Sequence, residues 1–190
     1  MNDIPLKQIR AVYDDRTIRV YQAYSHQIAD AALAKGRFAS PPFKMERMTW
    51  IKPSFLWMMY RAGWGHKDDG QSRILAIDIT RDGFEWALQH SCASHAEPGM
   101  ATEEWESLKA RSPVRVQWDP ERNLHLEPLD HRAIQIGIGG PAVPLYVNEW
   151  ISQITDITAL AHRIGGLVAD GKLDEAGALL PDERPYPLVI

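Results

Sequence analysis

Arg47 to Gly65, RMTWIKPSFLWMMYRAGWG, gathers residues able to grip a charged aromatic ligand. It holds Trp50, Trp57 and Trp64, three of the seven tryptophans, together with Arg47, Lys52 and Arg61. Aromatic faces stack on bases, and cations pair with phosphates. The corner Lys52-Pro53-Ser54 has a chemistry of its own. Pro53 fixes the chain direction, Ser54 is a residue type that caps helices, and a helix start presents free N–H groups to a phosphate. Lys52 would add a flexible point charge beside it. The structural alternative is a core strand and helix, with the Lys52 stem laid over Trp50 or Trp57 and its ammonium in water.

Other chemistry-bearing residues form poorer patterns. His90, Cys92 and His95 in HSCASH are metal-ligand types, but a structural zinc needs four ligands and no second pair accompanies them; no metal is expected. Cys92 has no neighbour in sequence that would activate it. No serine sits in a GxSxG elbow, and no GxGxxG or P-loop pattern follows a strand. Glu103, Glu104 and Glu106 read as a solvated helix face.

The elements that must position these groups follow from periodicity and punctuation. Thr17–Tyr24 alternates as a strand, with Ile18, Val20, Gln22 and Tyr24 on one face and Arg19, Tyr21 and Ala23 on the other. Ser25 caps a helix over 26–35, closed by Gly36. Met48–Ile51 is a strand before Pro53, and Phe55–Arg61 a helix ended by Gly63. Arg73–Ile79 is a strand, followed by a helix to Gln89 and a loop over 90–100. Thr102 caps a further helix. Pro113–Trp118 and 124–127 are expected to pair across the turn Asp119-Pro120-Glu121-Arg122-Asn123. Arg132–Ile138 is the next strand; Ile9–Val12 is a short one. Beyond Pro141 the pattern reads helical, with a clean stripe from Ile157 to Val168, a helix over 173–180 and an extended tail. Strands linked by helices early and by a short turn late predict a single α+β domain over 1–190, with mixed and antiparallel sheets flanked by helices.

Bulk properties set the class. The chain has 190 residues, 45% hydrophobic and 24% charged, as expected of one soluble domain. No apolar run reaches the ~20 residues of a membrane helix, so no membrane association is expected. The opening MNDIPLKQIR lacks an apolar signal region, and one cysteine fits a reducing compartment; the expected location is cytoplasmic. Charge is uneven: residues 1–81 carry 13 Lys/Arg against 8 Asp/Glu, and residues 82–190 carry 8 against 17. An anionic ligand would be drawn to the first part if its cations converge.

The segments VYQAYSHQIADAA, MTWIKPSFLWMMYRAGWG, SPVRVQWDPER and AIQIGI resemble those of the family named domain of unknown function 4291, over nearly the whole chain. A first strand ending Val-Tyr-polar and followed at once by a small-residue helix ending Lys-Gly is also similar to the opening of ADP-ribosyltransferase-fold proteins. That resemblance implies an ADP-ribosyltransferase-like fold and NAD as substrate. It implies a ribose-binding residue on the first strand, where this chain has Gln22, with Arg19 as substitute and Tyr24 beside it. It implies a nicotinamide support on a middle strand, where Thr49 and Ser54 flank the position and Trp57 or Tyr60 could stack. It implies a ribose contact on a late strand, where Gln135 stands. Glutamine is no general base, so a nearby Glu127 or Glu149 would have to supply the charge. Arg19 and Lys52 would hold phosphates. Two functions follow as expectations: an NAD-dependent ADP-ribosyltransferase acting on a nucleic-acid or protein acceptor, or a non-catalytic module of the same fold binding nucleotides or nucleic-acid ends.

Overall fold

The computed structural model describes residues 4–188. In chain order it contains β1 (Arg10–Ala11), β2 (Thr17–Tyr24), α1 (His26–Lys35), β3 (Thr49–Ile51), α2 (Phe55–Ala62), β4 (Arg73–Thr80), α3 (Arg81–Gln89), β5 (Ser91–Ala93) and α4 (Thr102–Arg111). There follow β6 (Val114–Arg122), β7 (Pro128–Ile138), α5 (Ala142–Leu145), a π-helical turn Tyr146–Trp150, β8 (Ile151–Asp156), α6 (Thr158–Ala169), α7 (Leu173–Ala178) and β9 (Arg184–Pro185).

Two sheets carry the fold. One has the order β2-β4-β8 and the other β3-β7-β6-β5. All their pairings are antiparallel except β5 with β6. The sheets meet at one bridge, where Tyr21 N donates to Lys52 O (2.8 Å) and Lys52 N donates to Tyr21 O (3.3 Å). Beyond that bridge β2 and β3 part. β1 pairs with β9, so the C-terminal tail is tied back to the start of the described chain.

Alternation along β2 sorts its side chains between two cores. Ile18 and Val20 join Ile51, Leu75, Ile136 and Phe84 on one side, and Tyr21 joins Phe55, Met58, Met59 and Ile164 on the other. Helix α2 thus packs against the face of β2 opposite to Gln22. Its ends are set locally: Ser54 Oγ accepts from Trp57 N (3.1 Å), and Gly63 adopts φ 56°, a left-handed cap that glycine takes without penalty.

The sheets and helices make one α+β domain, as the periodicity predicts, with differences in detail. Ser91–Ala93, inside the expected loop over 90–100, is strand β5, drawn into the sheet by β6, and α4 begins after Ala101 with no side-chain cap, so Thr102 is its first residue and not its cap. The segment 151–156 is strand β8, not helix; Ile151 and Ile154 pack inward from a strand added to β4. Asp119 and Pro120 continue β6 and do not form its turn. A register shift between Pro120 and Arg122 absorbs the proline, which has no N–H to give the ladder. The turn falls later, over 123–127, so that 124–127 is no strand. There Glu127 N donates to Asn123 Oδ1 (3.0 Å) and Leu126 takes φ 62°. Among the described residues, no helix is long and apolar enough to cross a membrane.

Candidate functional site

A cleft of about 770 Å3 opens where the two sheets part, lined from β2, β3, α2, β6 and β7. Its back is a buried polar network. Gln22, 3% exposed, donates through Nε2 to Thr49 Oγ1 (2.6 Å), Tyr24 OH (3.0 Å) and Trp50 O (3.1 Å). Its Oε1 accepts from Tyr146 OH, which is fully buried. Tyr24 OH and Thr49 Oγ1 share a further bond of 2.9 Å. Burial pushes the Tyr24 phenol up to about 12, with the bonds to Thr49 and Gln22 opposing. Burial likewise holds Tyr146 well above the ordinary phenol value. These phenols stay neutral and act as hydrogen-bonding groups. The network replaces the ladder that β2 and β3 no longer share, because a buried carbonyl such as Trp50 O needs a donor.

The floor is built on glycine. A Cβ at Gly137 would lie 2.7 Å from Met48 Sδ and 2.9 Å from the Trp50 ring, so only glycine lets the indole lie across β7.

Along the wall made by β3, α2 and β6 runs a row of alternating cations and rings. Lys52 Nζ lies 5.8 Å from the Trp57 ring centre, Trp57 and Tyr60 are edge-to-face at 5.9 Å, and the Arg122 guanidinium lies 3.6 Å from the centre of Tyr60. Lys52 is 5% exposed. Its ammonium makes one long bond, 3.4 Å, to Trp50 O, and among the described residues it forms no ion pair. Burial, and after it the charge of Arg61, lower its pKa to about 7, with Asp119 opposing. Trp57 Nε1 and Arg122 Nε are buried with no hydrogen-bond partner among the described residues. Exposed Lys44, Arg47 and Arg61 complete the cationic lining.

The facing wall comes from β6 and β7. Gln117 and Gln135 stand opposite one another in register. Gln117 Nε2 donates to Asp119 Oδ1 (2.9 Å) and Gln135 Nε2 to Asp119 Oδ2 (2.8 Å). Among the described residues lining the cleft, Asp119 is the single carboxylate, against five Lys/Arg.

The family model for the domain of unknown function DUF4291 matches residues 8–186, which span every element that lines this cleft. The chain belongs to the DUF4291 family. No curated protein matches it.

In this DUF4291 chain, Gln22, Tyr24, Thr49, Lys52, Trp57, Tyr60 and Gln135 come together in the cleft. Four other residues singled out from the sequence lie elsewhere. Arg19 points from the opposite face of β2 and is held by Asp78 through two bonds of 2.8 Å. Glu127 sits in the β6–β7 turn, where it accepts from Asn123 Nδ2 (2.9 Å). Glu149 lies in the π-helical turn. Ser54 is buried at the start of α2 and donates to Glu121 Oε1 (2.8 Å).

That helix start is already occupied by carboxylates. Phe55 N donates to Glu183 Oε1 (2.6 Å), and Glu121 lies close by on Ser54. Burial raises the Glu183 pKa to about 8; the bond from Phe55 N opposes, and Glu121 adds to the rise. A phosphate would meet these acids there, so the anion-binding part of the cleft is the side-chain wall, not the helix N-terminus.

Asp119, Arg122 and Tyr146 were missed by sequence reasoning. Asp119 and Arg122 carry a turn signature that the sheet overrides, and nothing around Tyr146 in the sequence marks it. In HSCASH, His90 stacks on Trp86 at 3.8 Å and His95 Nδ1 is 3.0 Å from Ser94 Oγ. Among the described residues, no three His, Cys, Asp or Glu side chains are grouped so as to hold a metal ion.

Proposed function

We propose that the cleft binds NAD or a related nucleotide, and that the chain acts as an ADP-ribosyltransferase-like protein whose acceptor is a nucleic acid or a protein. The observation that carries the reading is the imbalance of the cleft wall. Five cations line the cleft with one carboxylate, and that carboxylate already takes two amide hydrogens. An excess of cations over carboxylates favours a ligand rich in anionic acceptor oxygens. Phosphates supply such oxygens. The exposed face of Tyr60 and the indole of Trp50 supply stacking surface for a base.

The ADP-ribosyltransferase-like part rests on a convergence. The first-strand residue Gln22, the middle-strand residue Thr49 and the late-strand residue Gln135 line one cleft, as the resemblance requires of NAD-contacting positions. A second reading, a non-catalytic module for nucleotides or nucleic-acid ends, is favoured by Gln135 standing where a carboxylate would act and by Glu127 lying in the outer turn.

Tryptophan fluorescence tests both, because Trp50 and Trp57 line the cleft. Titration with NAD, AMP, ADP-ribose and a short RNA is expected to change emission saturably for NAD, AMP and ADP-ribose. Release of nicotinamide from NAD separates the enzyme from the binding module. No saturable response to any nucleotide would overturn the reading.

A further inference from the structure

Lys52 is placed unlike the other cations of the cleft. Arg61 and Arg47 are exposed at its mouth, whereas Lys52 is 5% exposed, lies against the Trp57 ring and has, among the described residues, only Trp50 O, at 3.4 Å, as a polar partner. A lysine kept for structure would have a carboxylate beside it or its ammonium in water. We propose that Lys52 is a nucleophilic amine that forms an imine with the open-chain aldehyde of a phosphate-bearing sugar, the phosphate being held by Arg61 and Arg122. The proposal rests on the reading of the cleft as a site for phosphorylated ligands, and adds a covalent step to it.

The physical basis is desolvation beside a second cation, the arrangement that frees a lysine lone pair at neutral pH. Burial and Arg61 both act in that direction on Lys52, and bring its pKa to about 7. In the step itself, the Nζ lone pair adds to the aldehyde carbon. The carbonyl π pair moves to oxygen, which takes a proton while nitrogen gives one up. The resulting carbinolamine expels its hydroxyl as water after a second protonation, leaving the iminium, which gives that proton back from nitrogen to form the imine. Amine and aldehyde become imine and water, with no oxidant or reductant. Asp119 lines the same cleft with both oxygens held by Gln117 and Gln135, but among the described residues Lys52 forms no ion pair with it, so these protons move through water.

Ribose 5-phosphate and ADP-ribose both carry the required aldehyde and serve as probes. The full chain is incubated with each in sodium cyanoborohydride, which reduces an imine to a stable secondary amine, and adducts are located by peptide mass mapping. The expected result is one adduct at Lys52, forming at least about tenfold faster than at exposed Lys67 because only a desolvated amine is free at neutral pH. AMP, which has no aldehyde, should suppress it, and Lys52→Arg should abolish it. Adducts spread evenly over surface lysines would overturn the proposal. The wild-type rate against pH keeps the test independent of whether the variant folds: it should level off just above pH 7, and a rate still rising steeply towards 10 would overturn the proposal. Saturable AMP binding without a Lys52 adduct would reject the imine and leave the nucleotide reading standing. Failure of AMP and both sugars to bind would reject the two together.

Discussion

Replacing Lys52 with methionine should make the protein more stable at neutral pH, and the gain should vanish as the solution becomes alkaline. The unfolded lysine titrates near 10.5 and the folded one near 7. Between these values the unfolded chain binds a proton that the folded chain does not, so wild-type stability rises with pH across that window. Below about pH 7 the full penalty of burying the amine is present; above about 10.5 it is gone. One pKa unit corresponds to about 1.36 kcal/mol, which puts the whole penalty on the order of 5 kcal/mol. Methionine has a similar length and no charge, and Lys52 is only 5% exposed, so little packing is lost and little of the effect is screened by solvent. Urea denaturation at intervals from pH 6 to 10 measures the difference. The Lys52→Met variant should exceed wild type by roughly 2–4 kcal/mol at pH 7 and converge on it with a slope of up to ~1.4 kcal/mol per pH unit. Parallel curves, or a variant less stable at pH 7, would refute the claim that this amine is buried at a net cost.

Three further outcomes are expected. Gln22→Ala strips Tyr146 OH of its acceptor and should destabilise by ~2–4 kcal/mol, while Tyr146→Phe in that background should recover ~1–2 kcal/mol; additive effects in a double-mutant cycle of melts would show the pair to be uncoupled. Arg122→Ala should weaken nucleotide binding by ~1.5–3 kcal/mol and Lys67→Ala should not, with wild-type affinity falling from low to high salt; equal affinities in the two variants would remove Arg122 from the site. Glu183 is protonated in the folded chain up to about pH 8 but ionised in the unfolded chain above about 4.5, so it favours folding below that window and the contribution is lost as pH rises through 8; Glu183→Gln should flatten this fall in stability, and an unchanged pH profile would contradict it.

How much of this molecule is legible in its sequence depends on how local the cause is. Strands β2 and β4, helix α1 and helix α2 with Ser54 and Gly63 at its ends follow from alternation and caps, which act over a few residues. So does the concentration of rings and cations between Arg47 and Gly65. The added strand β8 does not, because ISQITD becomes a strand only when β4 offers it an edge. The fate of single charged residues is less legible still. Arg19 is neutralised by Asp78, 59 positions away, and Phe55 N is capped by Glu183, 128 positions away, which puts acid where the sequence offered an open helix start. Asp119 faces the cleft because β6 continues through it in alternation with Gln117, and Arg122 lines the same cleft beyond the register shift that follows Pro120. By itself the sequence determined the local elements and the aromatic, cationic character of the central stretch. The tertiary structure decided which of those cations lie buried, which are already paired, and which face an open cleft, since desolvation and pairing depend on neighbours that only the folded chain brings together.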